Sequence, residues 1–209
     1  NKKGAFALRL YSTFLTNYIG RQFAPNYTDQ LTGQVMELRF DEDIVQTQIN
    51  DNMGAASIHG ASFEGKWNLT PHFTVSSDLT FTRADFLEGF GPLPSILPFY
   101  GANMLQYNKD KLSIRIRNRF SSAKNPEDYS LGGEDGLDET PVELNSEGFP
   151  QFIGTPSWSI FNLSGSYAWT EQLVLRAGLE NVFDVHYREF ASGISASGRS
   201  LMLGASLDF

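Results

Sequence analysis

The chain has 209 residues and a formal net charge of -8, with 41% hydrophobic and 13% aromatic residues, enough for one large domain or two small ones but a thin supply for a packed globule. Cysteine is absent, which excludes a disulfide framework and a thiolate metal site. Apolar residues never run together long enough for a membrane-spanning helix, which says nothing against a spanning barrel, whose strands need only about ten alternating residues.

Phe (17), Tyr (8) and Gly (19) are plentiful and favour strands and tight turns over helices. Alternation predicts eight strands, over about 4 to 19, 55 to 69, 72 to 84, 101 to 109, 111 to 121, 157 to 169, 171 to 183 and 199 to 209. Their connections are long (20 to 54), short (Leu69 to Pro71), medium (85 to 100), short (Asn108 to Asp110), long (122 to 156), short (Thr170, Glu171) and medium (184 to 198). This strict alternation of long and short matches a membrane barrel of antiparallel strands, with brief turns at one end and extended loops at the other. A soluble sandwich has no reason to sort loop length by end. The opening residues Asn1 to Gly4 read as a turn entered from an earlier strand, so the chain is expected to be the tail of something larger.

Each strand has one apolar row. The rows run from Phe6, Leu8, Leu10 and Phe14 in the first strand to Leu201, Leu203, Ala205, Leu207 and Phe209 in the last, with no charge between the ends. The opposite rows hold Arg9, Glu64, Lys66, Asp78, Arg115, Arg117, Arg119, Arg176 and Glu180. Burying so many charges in a packed core would cost several kcal/mol each, to order of magnitude, so the polar side must be wet. Lipid on the apolar side and water on the other satisfies every row at once. Trp67, Tyr107, Tyr167 and Trp169 fall beside the short turns, where an interfacial aromatic belt belongs. A sandwich with one solvated face per sheet alternates equally well but explains neither the loop sorting nor the aromatic placement.

The segment Leu179, Glu180, Asn181, Val182, Phe183, Asp184, followed by His186, Tyr187, Arg188, then Gly198, Arg199 and a last strand ending in Phe209, is similar to the closing region of TonB-dependent outer-membrane receptors. The run Ile58 to Gly65 resembles another strand of that family, with Glu64 four places after Gly60 where the family usually has two, and Leu97 to Gly101 resembles the loop before the next strand. The resemblance implies an all-β fold. These eight antiparallel strands would be the C-terminal part of a transmembrane β-barrel of about twenty-two strands, plugged by an N-terminal domain. It implies a receptor that takes up a scarce metal chelate, a ferric siderophore first and cobalamin or haem behind it. Implied partners are TonB through an N-terminal region, outer-membrane lipid and lipopolysaccharide, and the barrel-assembly machinery. No catalysis, cofactor or nucleic-acid partner is expected. The competing readings are an independent eight-stranded barrel serving as adhesin or envelope anchor, and an outer-membrane hydrolase. No Gly-x-Ser-x-Gly elbow supports the latter.

Individual residues carry further expectations. Asn181 and Asp184 stand where a strand leaves the barrel and read as turn formers, with Gly198 permitting a tight return and Arg199 reaching rim carboxylates. Phe209 resembles the terminal aromatic signal read during barrel assembly. Arg115, Arg117 and Arg119 stack at alternate positions, and they either pair with plug and wall carboxylates, the reading placed first, or draw an anionic ligand inward. The two long loops hold fourteen of the 24 acidic residues against three basic ones. Within them the run Gly132 to Glu139 lacks the ligand spacing of a calcium loop and reads as solvated. His59, His72 and His186 are too scattered for a metal site.

Overall fold

The computed structural model describes residues 3–23, 38–40, 43–45 and 48–209. The turn read at the first residues, and much of the connection 20 to 54, lie in part outside them. The strands in chain order are β1 (Gly4–Leu15), β2 (Ile19–Phe23), β3 (Leu38–Phe40), β4 (Asp43–Val45), β5 (Gln48–Asn52), β6 (Ala56–Asn68), β7 (Phe73–Phe86), β8 (Tyr100–Lys109), β9 (Leu112–Ser121), β10 (Val142–Leu144), β11 (Pro150–Phe152), β12 (Trp158–Ala168), β13 (Leu173–Glu180) and β14 (Ser200–Leu207).

Eight of them make one antiparallel sheet in the order β1-β6-β7-β8-β9-β12-β13-β14, matching the eight predicted strands. The pairs β2-β5, β3-β4 and β10-β11 are small hairpins within the long connections, which alternation did not reveal. Two strand ends fall three or more residues earlier than predicted. The first stops at Leu15 because Asn17 turns the chain with a left-handed φ of 55°, and the seventh stops at Glu180 because Asn181 does the same at 47°. Two of the short turns share one device. The Thr70 hydroxyl accepts hydrogen bonds from the main-chain N–H of His72 and Phe73, and the Thr170 hydroxyl accepts from Gln172 and Leu173.

Residues paired across an antiparallel sheet lie on the same face, so the register sorts the rows. One series runs Leu105, Ile116, Leu163, Leu179, Leu201 across five strands, and its continuation on the other side runs Val75, Trp67. The other face carries Glu64 opposite Asp78, Arg119 opposite Ala102 and Ile160, Arg115 opposite Ser164, Arg176 opposite Gly204 and Glu180 opposite Ser200. All nine predicted interior charges fall on that second face.

The apolar face is bare. Phe6 is 76% exposed and Leu203 77%, and nothing among the described residues packs on them, so the rows do not meet across a sealed interior as a sandwich requires. Trp67, Tyr107 and Tyr167 stand on this face beside the short turns, and Trp169 meets Tyr167 edge to face. The buried cluster lies instead at the loop end, on the polar face, where Met53, Ala56, Ala84, Phe86 and Leu93 join loop residues to the upper parts of β6 and β7. The polar face is concave: Asp78 of β7 and Met202 of β14, which a flat sheet would hold about 24 Å apart at about 4.8 Å per strand, line one cavity.

Candidate functional site

Three connections fold together over the loop end of the concave face. At their junction the Lys124 ammonium lies 3.1 Å from the Asp135 carboxylate, with both side chains 2% exposed. The ammonium also donates to the main-chain oxygen of Ile96 (2.7 Å) and faces the rings of Phe190 (4.1 Å) and Tyr129 (5.1 Å). The second Asp135 oxygen accepts from the main-chain N–H of Ser95 (2.7 Å). Residues of the connections 85 to 100, 122 to 156 and 184 to 198 thus meet at one ion pair. Burial holds the Lys124 pKa below the ordinary lysine value, outweighing the attraction of Asp135, and raises that of Tyr129, whose hydroxyl bonds Thr155. The reading of Gly132 to Glu139 as solvated is corrected at Asp135: this carboxylate is buried and holds a lysine. An acidic run signals solvent only until a distant cation folds onto it.

Asn181 and Asp184 build the exit from β13 as turn formers. The Asn181 side chain accepts from the N–H of Val185 (2.9 Å) and donates to its carbonyl (2.9 Å), while its own main-chain N–H donates to Asn162 Oδ1 (2.8 Å). Asp184 Oδ1 accepts from the main-chain N–H of Arg199 (2.7 Å), closing the connection on itself. A Cβ on Gly198 would lie 2.8 Å from that oxygen, so a side chain there would displace the carboxylate that closes the turn. Arg199 therefore contributes its backbone to the turn. Asn162 had no sequence signal, because its partner is a backbone group nineteen positions away.

Gly60 has a similar explanation. The Tyr11 ring crosses directly over it, leaving no room for a Cβ, and its hydroxyl bonds Thr82 on the next strand.

Between the connections 122 to 156 and 184 to 198 lies a cavity of about 440 Å³, with Trp158, Thr140, His186, Tyr187 and Arg188 among its walls. Trp158 and Tyr187 meet at a tilt of 38° with centroids 4.5 Å apart, and the indole N–H is buried without a partner among the described residues. Arg188 is fixed by the Glu139 carboxylate (2.8 Å) and by the main-chain oxygens of Glu139 and Ser192. Below this cavity the three predicted arginines divide. Arg119 pairs with Glu189 (2.9 Å) and its guanidinium lies 5.7 Å from the Trp158 ring. Arg115 and Arg117 point along the concave face without an ion pair among the described residues.

The histidines remain apart. His59 shares a hydrogen bond with Ser12, His72 with the main-chain oxygen of Asn108, and His186 lines the mouth cavity. Among the described residues no three His, Asp or Glu are placed to hold a metal. The bare apolar face carries an uncharged polar seam that the row reading passed over. Ser77 donates to Asn103 (2.7 Å), Asn103 to Asn118 (3.4 Å), and Asn118 to Ser159 (2.8 Å), so each side chain finds a partner within the seam.

The family model for the TonB dependent receptor-like β-barrel matches residues 1–182. The chain belongs to that family. No curated protein matches it. Among solved structures it is similar to the copper transporter OprC (TM-score 0.71, 16% identity, 100% of this chain and 30% of that one). It is also similar to the ferric enterobactin receptor PfeA of Pseudomonas aeruginosa (0.64, 18%, 100% and 29%) and to the siderophore receptor PirA of Acinetobacter baumannii (0.63, 16%, 100% and 30%). The chain thus spans about 30% of the length of the solved receptors it matches. The TonB-dependent receptor fold makes the concave charged face the barrel lumen and the bare apolar face its lipid surface. The sheet here is an unclosed portion of such a barrel, with β1 and β14 at its edges. The family is one of outer-membrane receptors and transporters.

Proposed function

We propose that residues 1–209 form the C-terminal strands of the barrel of an outer-membrane receptor that takes up a metal chelate, a ferric siderophore in the first instance, by energy-coupled transport. TonB would be engaged through an N-terminal region, and the lipid surface would sit among outer-membrane lipid and lipopolysaccharide after insertion by the barrel-assembly machinery. The observation that carries this reading is the lumen wall itself. Arg115 and Arg117 face the interior without an ion pair among the described residues, in a cavity they share with Asp78 and Glu180, beneath a mouth cavity walled by Trp158, Tyr187 and Arg188. Such a wall attracts an anionic chelate more readily than a bare cation. Of the three solved structures named above, one is by name a siderophore receptor and one a ferric enterobactin receptor, beside a copper transporter, which supports a metal-bearing ligand.

The test is growth of a strain deleted for the complete gene on a panel of single iron sources, with cobalamin and haem as further arms. Loss of growth on one ferric chelate, restored by the wild-type gene and weakened by replacing Arg115, Arg117 and Arg119 with alanine, is the expected result. Normal growth of the deletion strain on every ferric chelate would reject the siderophore assignment. In the same alanine series, unchanged chelate affinity with a loosened plug would assign the arginines to plug pairing instead.

A further inference from the structure

The polar seam is out of place on a lipid surface. One register row crosses the sheet as Phe6, Gly65, Ser77, Asn103, Asn118 and Phe161, so a phenylalanine closes it at each side and three polar residues stand between. Asn103 is four residues along β8 from Tyr107 of the aromatic belt. On a strand tilted by about 40° that is a depth of about 10 Å, close to the middle of an apolar band about 25 Å tall. The next row toward the turns, Val75, Leu105, Ile116 and Leu163, is apolar throughout, as hydrocarbon requires. The seam lies on β7, β8, β9 and β12, with two strands of the sheet on either side, so its immediate neighbours are the same in this open portion and in a closed barrel.

Bonds within the seam do not exhaust its capacity. Asn103 accepts from Ser77 and spends one N–H on Asn118, and the Asn118 amide donates to Ser159 and to the main-chain oxygen of Ile160. The second N–H of Asn103 and the hydroxyl hydrogen of Ser159 have no acceptor among the described residues, and the Ser77 oxygen has no donor there. Asn103 and Ser159 are both exposed. Acyl chains offer neither donor nor acceptor, so leucine or valine would suit a row that meets lipid alone. A surface with unspent donors and unspent acceptors is complementary to itself, which is what a two-fold interface needs. Two copies inserted the same way up, related by an axis along the membrane normal, present this seam to each other at the same depth.

We propose that the seam on β7, β8, β9 and β12 is the centre of a lipid-embedded contact between two copies of this protein, with Asn103 of each copy bonding the seam of the other. A patch four strands wide and as tall as the apolar band covers about 500 Å² per copy, below the roughly 800 Å² per partner of a stable soluble complex. The pair therefore forms in the bilayer, where copies meet in one plane, and comes apart in detergent. Such a contact depends on the lipid face alone, so it stands whatever the receptor carries.

Cross-linking in outer membranes tests it on the complete protein. These 209 residues contain no cysteine, and Leu105, 37% exposed on the row beside Asn103, can carry a thiol without touching the seam. Leu105→Cys treated with a short, membrane-permeant bis-maleimide, with the unsubstituted protein as blank, is expected to give a dimer. Its yield should exceed that of Leu8→Cys, a lipid-facing site on β1 that reports random collision, by about five- to tenfold, the gain from two membrane hydrogen bonds of ordinary strength. Replacing Asn103 and Asn118 by leucine in the Leu105→Cys protein should bring the yield down to the Leu8→Cys level while heat-modifiable migration shows the barrel assembled. Alanine serves at both positions should the leucine pair assemble poorly. A Leu105→Cys yield no higher than that of Leu8→Cys, or one unmoved by the asparagine replacements, would overturn the proposal. So would a cross-linked band whose other half is a different protein.

Discussion

Lys124 and Asp135 lie eleven residues apart in sequence and 3.1 Å apart in space, both side chains sealed from water beneath three connections. Removing one member leaves the other charged and buried, at a cost of about 3 to 5 kcal/mol, whereas replacing both with apolar groups of similar size is close to neutral. Lys124→Met should therefore open the three connections to proteolysis and hydrogen exchange, and Lys124→Met with Asp135→Leu should largely restore protection. Equal damage from the single and double replacements would show that the ion pair does not organise the loops.

The Asn181 turn concentrates several bonds on one side chain in a left-handed conformation. Glycine there relieves the backbone cost but removes both side-chain bonds to Val185. Asn181→Gly is expected to destabilise the connection by about 1 to 3 kcal/mol, the range for losing buried hydrogen-bond partners. Asn181→Asp keeps the acceptor for the Val185 N–H and should lose less. Cleavage by trypsin at Arg188 or Arg199 in the assembled protein measures the effect, and identical cleavage of the glycine, aspartate and parent proteins would refute it.

The sheet could be read from the sequence because lipid on one side and water on the other impose a strict two-residue period on every strand. Leu163 and Leu179 declare their face through their own neighbours in sequence. The site was legible only where it lies on those strands: the wall positions of Arg115, Arg117 and Arg119 follow from the same period. The loop architecture did not show. Lys124 meets Phe190 across 66 positions, and nothing beside Asp135 distinguishes it from the solvated acids around it. The seam through Asn103 and Asn118 escaped for the converse reason. Uncharged polar residues on an apolar row look like tolerated exceptions until the register brings them together.

Neighbouring positions of β12 offer a direct measure of the two faces. Leu163 lies on the apolar row between Ile116 and Leu179, and Ser164 on the polar row between Arg115 and Gly178. Leu163→Arg should cost about 2 to 4 kcal/mol in a bilayer. Ser164→Arg places the same group in water and should cost well under half of that. Urea unfolding of the complete protein in lipid vesicles gives both values. Comparable losses at the two sites would mean that the face assignment is wrong.

Phe209 differs from the rest of its apolar row. β14 ends at Leu207, Asp208 donates its N–H to the Gln172 oxygen, and the Phe209 side chain stands fully exposed. Because the ring is not packed among the described residues, its removal is expected to leave the assembled barrel's stability nearly unchanged. We propose that its role is in assembly, as a terminal aromatic presented to the insertion machinery. Phe209→Ala in the complete protein should then slow the appearance of the heat-modifiable form in cells while leaving its unfolding midpoint within about 0.5 kcal/mol of the parent. A lowered midpoint with normal assembly kinetics would give the ring a packing role instead, and parent-like behaviour in both measurements would remove it from either.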